Sequence, residues 1–183
     1  MDFYSIIDYC KYYWNAKSIY NIQAPLASEI SSIALKDDRW YYVFDENRVK
    51  YPKISHSIGR KIFRLLQYFK PKKIIEFPEN NPLNVYISKE KFITTNFDQL
   101  IYTDECVDKQ LIMKVMKGDI AIIVHRSKST RGLIDELVKE SNIMLTLNFY
   151  DIFIAIQHRN LMKKQHFDVI DFWKKPLKIG LFN

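Results

Sequence analysis

The chain has 183 residues, enough for one domain with a single substantial core. Hydrophobic residues make up 48% and charged residues 27%. That balance excludes a disordered chain, and no run approaches the roughly 20 uninterrupted apolar residues of a membrane-spanning helix. The formal charge of +7 is spread in small groups: Lys70/Lys72/Lys73, Arg126/Lys128/Arg131, Lys163/Lys164 and Lys174/Lys175/Lys178. No RNP, helix-turn-helix or zinc-finger pattern accompanies them. A lysine-rich solvated surface accounts for this charge more simply than a nucleic-acid or anionic membrane face does.

The sequence begins Met1-Asp2-Phe3-Tyr4, without the basic, apolar and small-residue regions of an export signal, so a cytoplasmic location is expected. Cys10 and Cys106 lie far apart and match no metal spacing, which suits two unpaired thiols in a reducing compartment. His56, His125, His158 and His166 are scattered and give a zinc site little support.

In chain order, the first 50 residues read as helical. Phe3, Ile6, Ile7, Cys10, Tyr13 and Trp14 recur at three-to-four spacing and predict a first helix with these residues on one face. A second helix is expected from Pro25, with Leu26, Ile30, Ile33 and Ala34 as its stripe. The turn Asp37-Asp38-Arg39 ends it, and the aromatic run Trp40-Tyr41-Tyr42-Val43-Phe44 follows. A third helix, capped by Ser55 or Ser57, runs to about Phe69 on Ile58, Ile62, Leu65, Leu66 and Phe69.

After residue 70 the period changes. Short β-branched runs at 73–76, 84–87, 99–103, 119–124, 143–147 and 150–157 read as strands, with helix-like segments at 106–117 and 128–140. Strands alternating with helices predict an α/β fold with a mainly parallel sheet. The last two runs, joined at Asn148, suit an antiparallel hairpin. Without a linker or repeat, the chain reads as one domain: a helical preface over 1–52, a reduced core over 53–160 and an extension over 161–183.

Several segments carry a family resemblance. Tyr13-Trp14-Asn15-Ala16-Lys17-Ser18-Ile19-Tyr20-Asn21-Ile22-Gln23-Ala24-Pro25 is similar to a "Y-W-x-A-K-T-x-Y-D-I-H-S-P-F" opening. Asp37-Asp38-Arg39-Trp40-Tyr41-Tyr42-Val43-Phe44 is similar to "D-D-R-x-Y-Y-x-F". Asp151-Ile152-Phe153-Ile154-Ala155-Ile156 and Lys163-Lys164-Gln165-His166-Phe167 resemble a "D-L-F-F-x-G-I-V-F" strand and a "K-Q-H-F" close. Together they resemble a bacterial O-methyltransferase-like family, common in Bacteroidetes, among the class I S-adenosylmethionine-dependent methyltransferases. The resemblance covers both ends of the chain well and the middle poorly. It implies a Rossmann-like, methyltransferase-type sheet preceded by helices and closed by the antiparallel pair.

The functional positions of that family are altered. Its first strand ends in "E-L-G-T-x-x-G", and only glycine lets backbone approach an adenosyl cofactor cheaply. Glu76-Phe77-Pro78-Glu79-Asn80-Asn81-Pro82 keeps the acid Glu76 and loses both glycines. Only Asn80 and Asn81 are suited to the left-handed conformation glycine supplied. The chain between the first strand and Phe97 is too short for two further strand-helix units, so a ribose-binding acid is not assignable. Glu90 is the nearest candidate, and a solvated glutamate is its simpler reading. Asp104, after the strand in Phe97-Asp98-Gln99-Leu100-Ile101-Tyr102-Thr103, matches a metal-binding acid of metal-dependent members. The partner acids are replaced by Val124 and His125, and one carboxylate does not make a magnesium site. Asp104 therefore also reads as a helix N-cap or a solvated strand end. His125 stands at a strand end as a candidate general base beside Arg126.

The expectation is a methyltransferase-like protein without confident catalytic, metal or cofactor residues, acting as a scaffold, binding or assembly subunit. Its partner is expected to be a protein or a second copy of the chain, with nucleic acid or an anionic membrane surface as weaker alternatives. Trp40, Tyr41, Trp173, Lys174 and Lys175 are the candidate contacts. The alternative is a divergent S-adenosylmethionine-dependent methyltransferase with a rebuilt cofactor pocket.

Overall fold

The apolar runs of the second half are too long and too uniform to leave a face in water, and the sheet is built around them. In the computed structural model, residues 3–36, 39, 41–51, 56–77, 85–87 and 92–170 are described. The elements are α1 (Phe3–Asn15), β1 (Lys17–Ser18), a 3-10 turn (Ile19–Asn21), α2 (Pro25–Lys36), α3 (Tyr42–Lys50), α4 (His56–Phe69) and β2 (Pro71–Phe77). They continue with β3 (Phe97–Thr103), α5 (Lys109–Val115), β4 (Ile120–His125), α6 (Arg131–Lys139), β5 (Leu145–Asn148), β6 (Ile152–Gln157) and β7 (Gln165–Ile170).

The fold is α/β and Rossmann-like: one sheet of 7 strands in the order β1-β7-β5-β6-β4-β3-β2. All pairs are parallel except those of β6, which runs against both β4 and β5. Residues 120–124 of β4 and 152–156 of β6 are all buried, so both faces of the centre are covered. One core joins Leu100, Tyr102, Ala121, Ile123 and Ile154 to the α2 and α4 residues Ile30, Ile62, Leu65 and Leu66. The other joins Ile101, Ile122, Val124 and Phe153 to Ile112 of α5 and to Leu133 and Leu137 of α6. Residues alternate between the two cores along each strand, as the two-residue period requires.

Helix α4 ends where Lys70 takes a left-handed conformation (φ 41) and its N–H donates to the Leu66 carbonyl at 2.9 Å. That cap turns the chain directly into Pro71 and β2. A hydrogen bond of 2.6 Å joins the Tyr86 hydroxyl to His56 Nδ1, and Asn47 Nδ2 donates to the Val85 carbonyl at 3.0 Å. The 85–87 segment is thereby pinned between α3 and α4.

Several expectations change. Helix α1 buries Tyr12 (6% exposed), while Ile6, Trp14 and Cys10 of its expected face lie outside. The reason is polar: the Tyr12 hydroxyl donates to the Val169 carbonyl and docks that side against β7. Residues 85–87 are a 3-10 turn and bend and do not form the expected strand. The aromatic run feeds a helix, α3, whose buried residues are Phe44 and Asn47. Ser57 lies inside α4 and is not its cap, and Ser55 is outside the described residues. Strands β1 and β7 had no counterpart among the expected elements. Both cysteines are free and exposed. Among the described residues, no helix is long and apolar enough to cross a membrane.

Gly59 supplies the notch that receives Tyr86: a Cβ there would lie 2.2 Å from the ring. Tyr86 is 1% exposed and has no room to withdraw. Gly59→Ala is therefore expected to destabilise the protein by about 1–3 kcal/mol, although alanine is the better helix former by about 1 kcal/mol. Urea denaturation measures this, and a stabilised variant contradicts the notch.

Candidate functional site

Parallel strands converge their carboxyl ends at one edge of the sheet, where α/β folds place ligands. Glu76 is the penultimate residue of β2 and pairs in register with Tyr102 of β3. Asp104 follows the end of β3, and His125 ends β4. The structure thus brings Glu76, Asp104 and His125 to the same edge on three adjacent strands. Asn80 and Asn81 lie outside the described residues, as do Trp40, Trp173, Lys174, Lys175 and Glu90. Tyr41 is half-buried and packs edge-on against Phe44 and Phe63, with ring centres 5.3 and 5.0 Å away.

Between the two acids sits a group the sequence reading passed over. Tyr102 is fully buried, and its hydroxyl has no hydrogen-bond partner among the described residues. Burial raises its phenol pKa, and the nearby carboxylates of Asp104 and Glu76 raise it further. Asp104 Oδ1 is likewise buried without a partner among the described residues. Asp104 is not the cap of α5. Asp108 is, its carboxylate accepting from the Gln110 N–H at 2.8 Å. A tyrosine inside a run of buried aliphatic residues was the available signal for this cluster.

At His125 the edge is locked. The Thr130 hydroxyl donates to the His125 carbonyl at 2.9 Å and accepts the Ser127 N–H at 2.8 Å, fixing the loop into α6. Arg126 Nη1 donates to Asn148 Oδ1 at 3.3 Å, and its guanidinium lies 5.2 Å from the Tyr150 ring centre. Asn148 Nδ2 in turn donates to Asp168 Oδ1 at 2.6 Å. Lys61 of α4 forms an ion pair with Asp151. Tyr9 of α1 meets the Tyr150 ring edge-on at 4.8 Å, and Arg131 pairs with Asp8.

Helices α1 and α4 are therefore clamped over the carboxyl edge of β4, β5 and β7. The hollow left beneath them is about 140 Å³, and two others beside Arg126 are about 190 and 420 Å³. Small-molecule sites usually need some 300 Å³ or more.

Larger concavities lie at the opposite, amino end of the sheet. A groove of about 790 Å³ is lined by residues that include Lys17, Leu26, Leu145, His158, Leu161 and Phe167. A second of about 720 Å³ adjoins it around Asp98, Asp119 and Arg159. Asp119 is buried and accepts from the Arg159 N–H at 2.9 Å and from Arg159 Nε at 2.8 Å. Burial pushes its carboxyl up, but Arg159 and His158 outweigh that and hold it below the usual carboxylate range.

Tested against an adenosyl cofactor, the described residues do not make a platform. The carboxyl edge offers Glu76 and Asp104, but the described sheet ends at β2, and the outer strand that would carry a ribose-binding acid is not among its strands. Among the described residues, no group of three or more His, Cys, Asp or Glu is disposed to hold a metal ion. The class defined by fold and edge is a Rossmann-like α/β protein with a partly closed carboxyl edge. No protein-family model, curated protein or solved structure matches the chain.

Because the Tyr102 hydroxyl is buried without a partner, Tyr102→Phe is expected to leave stability unchanged or raise it by about 1 kcal/mol. A loss of more than about 1 kcal/mol in urea denaturation shows that the hydroxyl is hydrogen-bonded. At the other end, the depressed pKa of Asp119 implies a stabilising contribution that is complete above about pH 5. It is lost as pH falls through the ordinary carboxylate value near 4 and then through the lower folded value. Asp119→Asn should flatten the acid limb of the stability profile over this window. An unchanged limb assigns the acid sensitivity elsewhere.

Proposed function

We propose that the chain is a methyltransferase-like protein that has lost cofactor binding and catalysis and acts as a scaffold, binding or assembly subunit. The observation that carries this is the position of β2. It pairs directly with β3, and the crossover between them is residues 78–96. One crossover fits that length, whereas two extra strand-helix units would need some 30 residues each. In a doubly wound sheet the strand outside the first supplies the acid for the ribose hydroxyls. Here β2, which carries Glu76, is the edge strand of the described sheet.

Two further features support the reading. The mainly parallel sheet closed by the antiparallel β5-β6 pair agrees with the arrangement the family resemblance implies. The clamp of α1 and α4 also narrows the carboxyl edge of β4, β5 and β7. The exposed aromatics Trp14 (70%) and Tyr42 (83%) are contact candidates for a protein partner or a second copy.

One observation favours the alternative of a divergent S-adenosylmethionine-dependent methyltransferase. Among the described residues, Tyr102 and Asp104 leave two buried polar atoms without partners at the edge where a cofactor would lie. Calorimetric titration with S-adenosylmethionine and S-adenosylhomocysteine separates the two readings. No heat is expected from either compound. Micromolar binding of either overturns the loss of cofactor binding and makes Tyr102 and Asp104 part of a rebuilt pocket.

A further inference from the structure

A wide concavity lies at the end of the sheet opposite Glu76, Asp104 and His125. Strand β6 ends at Gln157, the chain turns through residues 158–164, and it re-enters the sheet at Gln165 as β7. This return, the first residue of β5 and the first turn of α2 enclose the groove of about 790 Å³. We propose that this groove binds a small amphipathic anion: an apolar body carrying one carboxylate, sulfonate or phosphate group.

The apolar part follows from the floor. Leu145 is 1% exposed and closes the bottom. Leu26, Leu161 and Phe167 are half-buried, packed against the main core on one side, and line the groove on the other. The volume falls within the usual range of small-molecule sites, about 300–1,000 Å³.

The sign of the charge follows from the rim. Lys17 begins β1, and its ammonium lies 5.6 Å from the Phe167 ring centre, which holds a cation at the edge of the apolar floor. The other polar lining is neutral amide and imidazole, from Asn21, Gln23, Asn160, Gln165 and His158, and none of the lining residues is an acid. The carboxylates of the adjoining hollow are already engaged. Asp119 holds Arg159, and Asp98 Oδ1 holds Lys72 at 2.6 Å. An anion with an apolar tail therefore meets one full positive charge and no opposing one. A cation of the same shape would face Lys17 unpaired. The first-turn amides of α2 add a partial positive charge in the same sense, as at any helix start. Cavity, floor and cation make the site, and the helix end only reinforces it.

This inference holds whether or not the carboxyl edge retains a cofactor, since the two regions share no residue. It is tested by fluorescence titration of the intact chain with 8-anilinonaphthalene-1-sulfonate, an amphipathic anion, and with uncharged N-phenyl-1-naphthylamine. Saturable binding of the anion at one site is expected. Lys17→Gln should weaken the anion about tenfold and the neutral probe less than about twofold. Leu161→Glu, which places an acid on the floor, should weaken both. Near-ultraviolet circular dichroism verifies that each variant keeps native packing, because loosely packed states also bind such dyes. Absence of saturable binding overturns the site, and so does anion binding that neither substitution alters. Equal weakening of both probes by Lys17→Gln overturns the anionic assignment.

Discussion

Strand β6 is the constraint on which the rest of the molecule depends. It hydrogen-bonds antiparallel to β4 on one side and to β5 on the other, joining the parallel half of the sheet to the β5-β7-β1 half. Its residues 152–156 are at most 1% exposed, so substitutions that shorten them would open cavities under both layers at once. Its reversal also decides where its flanking groups go. Asp151, before the strand, reaches the carboxyl edge and pairs with Lys61. His158 and Arg159, after it, reach the amino end and meet Asp119. The clamp at one end of the sheet and the groove at the other are two consequences of one strand direction.

What could be read from the residues follows the same physics. The centres of β3, β4 and β6 were legible because buried strands must be continuous runs of Ile, Leu, Val and Phe. The turn around Asn148 was legible because the runs on either side are too close for a crossover. Strand β7 was not. Gln-His-Phe-Asp-Val-Ile buries only Val169 and Ile170, so periodicity hardly separates it from a surface segment. Helix α3 was hidden by its aromatic lead-in and by a buried Asn47, whose amide donates to a carbonyl 38 residues away in sequence. Helix α1 was legible as a helix, but its buried side was not. Its burial is decided by the Tyr12 hydroxyl at the Val169 carbonyl, a contact that an apolar periodicity cannot foresee.

The candidate site divides in the same way. That Glu76, Asp104 and His125 share an edge follows from the rule that parallel strands end together, and the sequence allowed it. Their surroundings depend on residues distant in sequence. The capping role considered for Asp104 belongs to Asp108 four residues on, because α5 starts only at Lys109. His125 was a candidate base by position, yet its loop is tied by Thr130 and Ser127, and Arg126 beside it is spent on Asn148 and Tyr150. The amino-end groove left no sequence signal. It is assembled from four separate stretches whose only common feature is that β6 and β7 bring them together.

Charge is arranged differently at the two ends of the sheet. The carboxyl edge gathers Glu76, Asp104, Asp151 and Asp168, and Tyr12 and Tyr102 there are both pushed up in pKa, by burial first and then by those acids. Lys61 of α4 pairs with Asp151, and Arg126 is held by Asn148 and Tyr150. The same edge also carries cations, with Arg126, Lys128 and Arg131 around a hollow of about 190 Å³. At the amino end the acids are already neutralised by Arg159 and Lys72, and the groove beside them presents Lys17 over an apolar floor. A cation over an apolar floor thus stands at the end of the sheet where the parallel strands begin, opposite to the edge that the fold class normally uses.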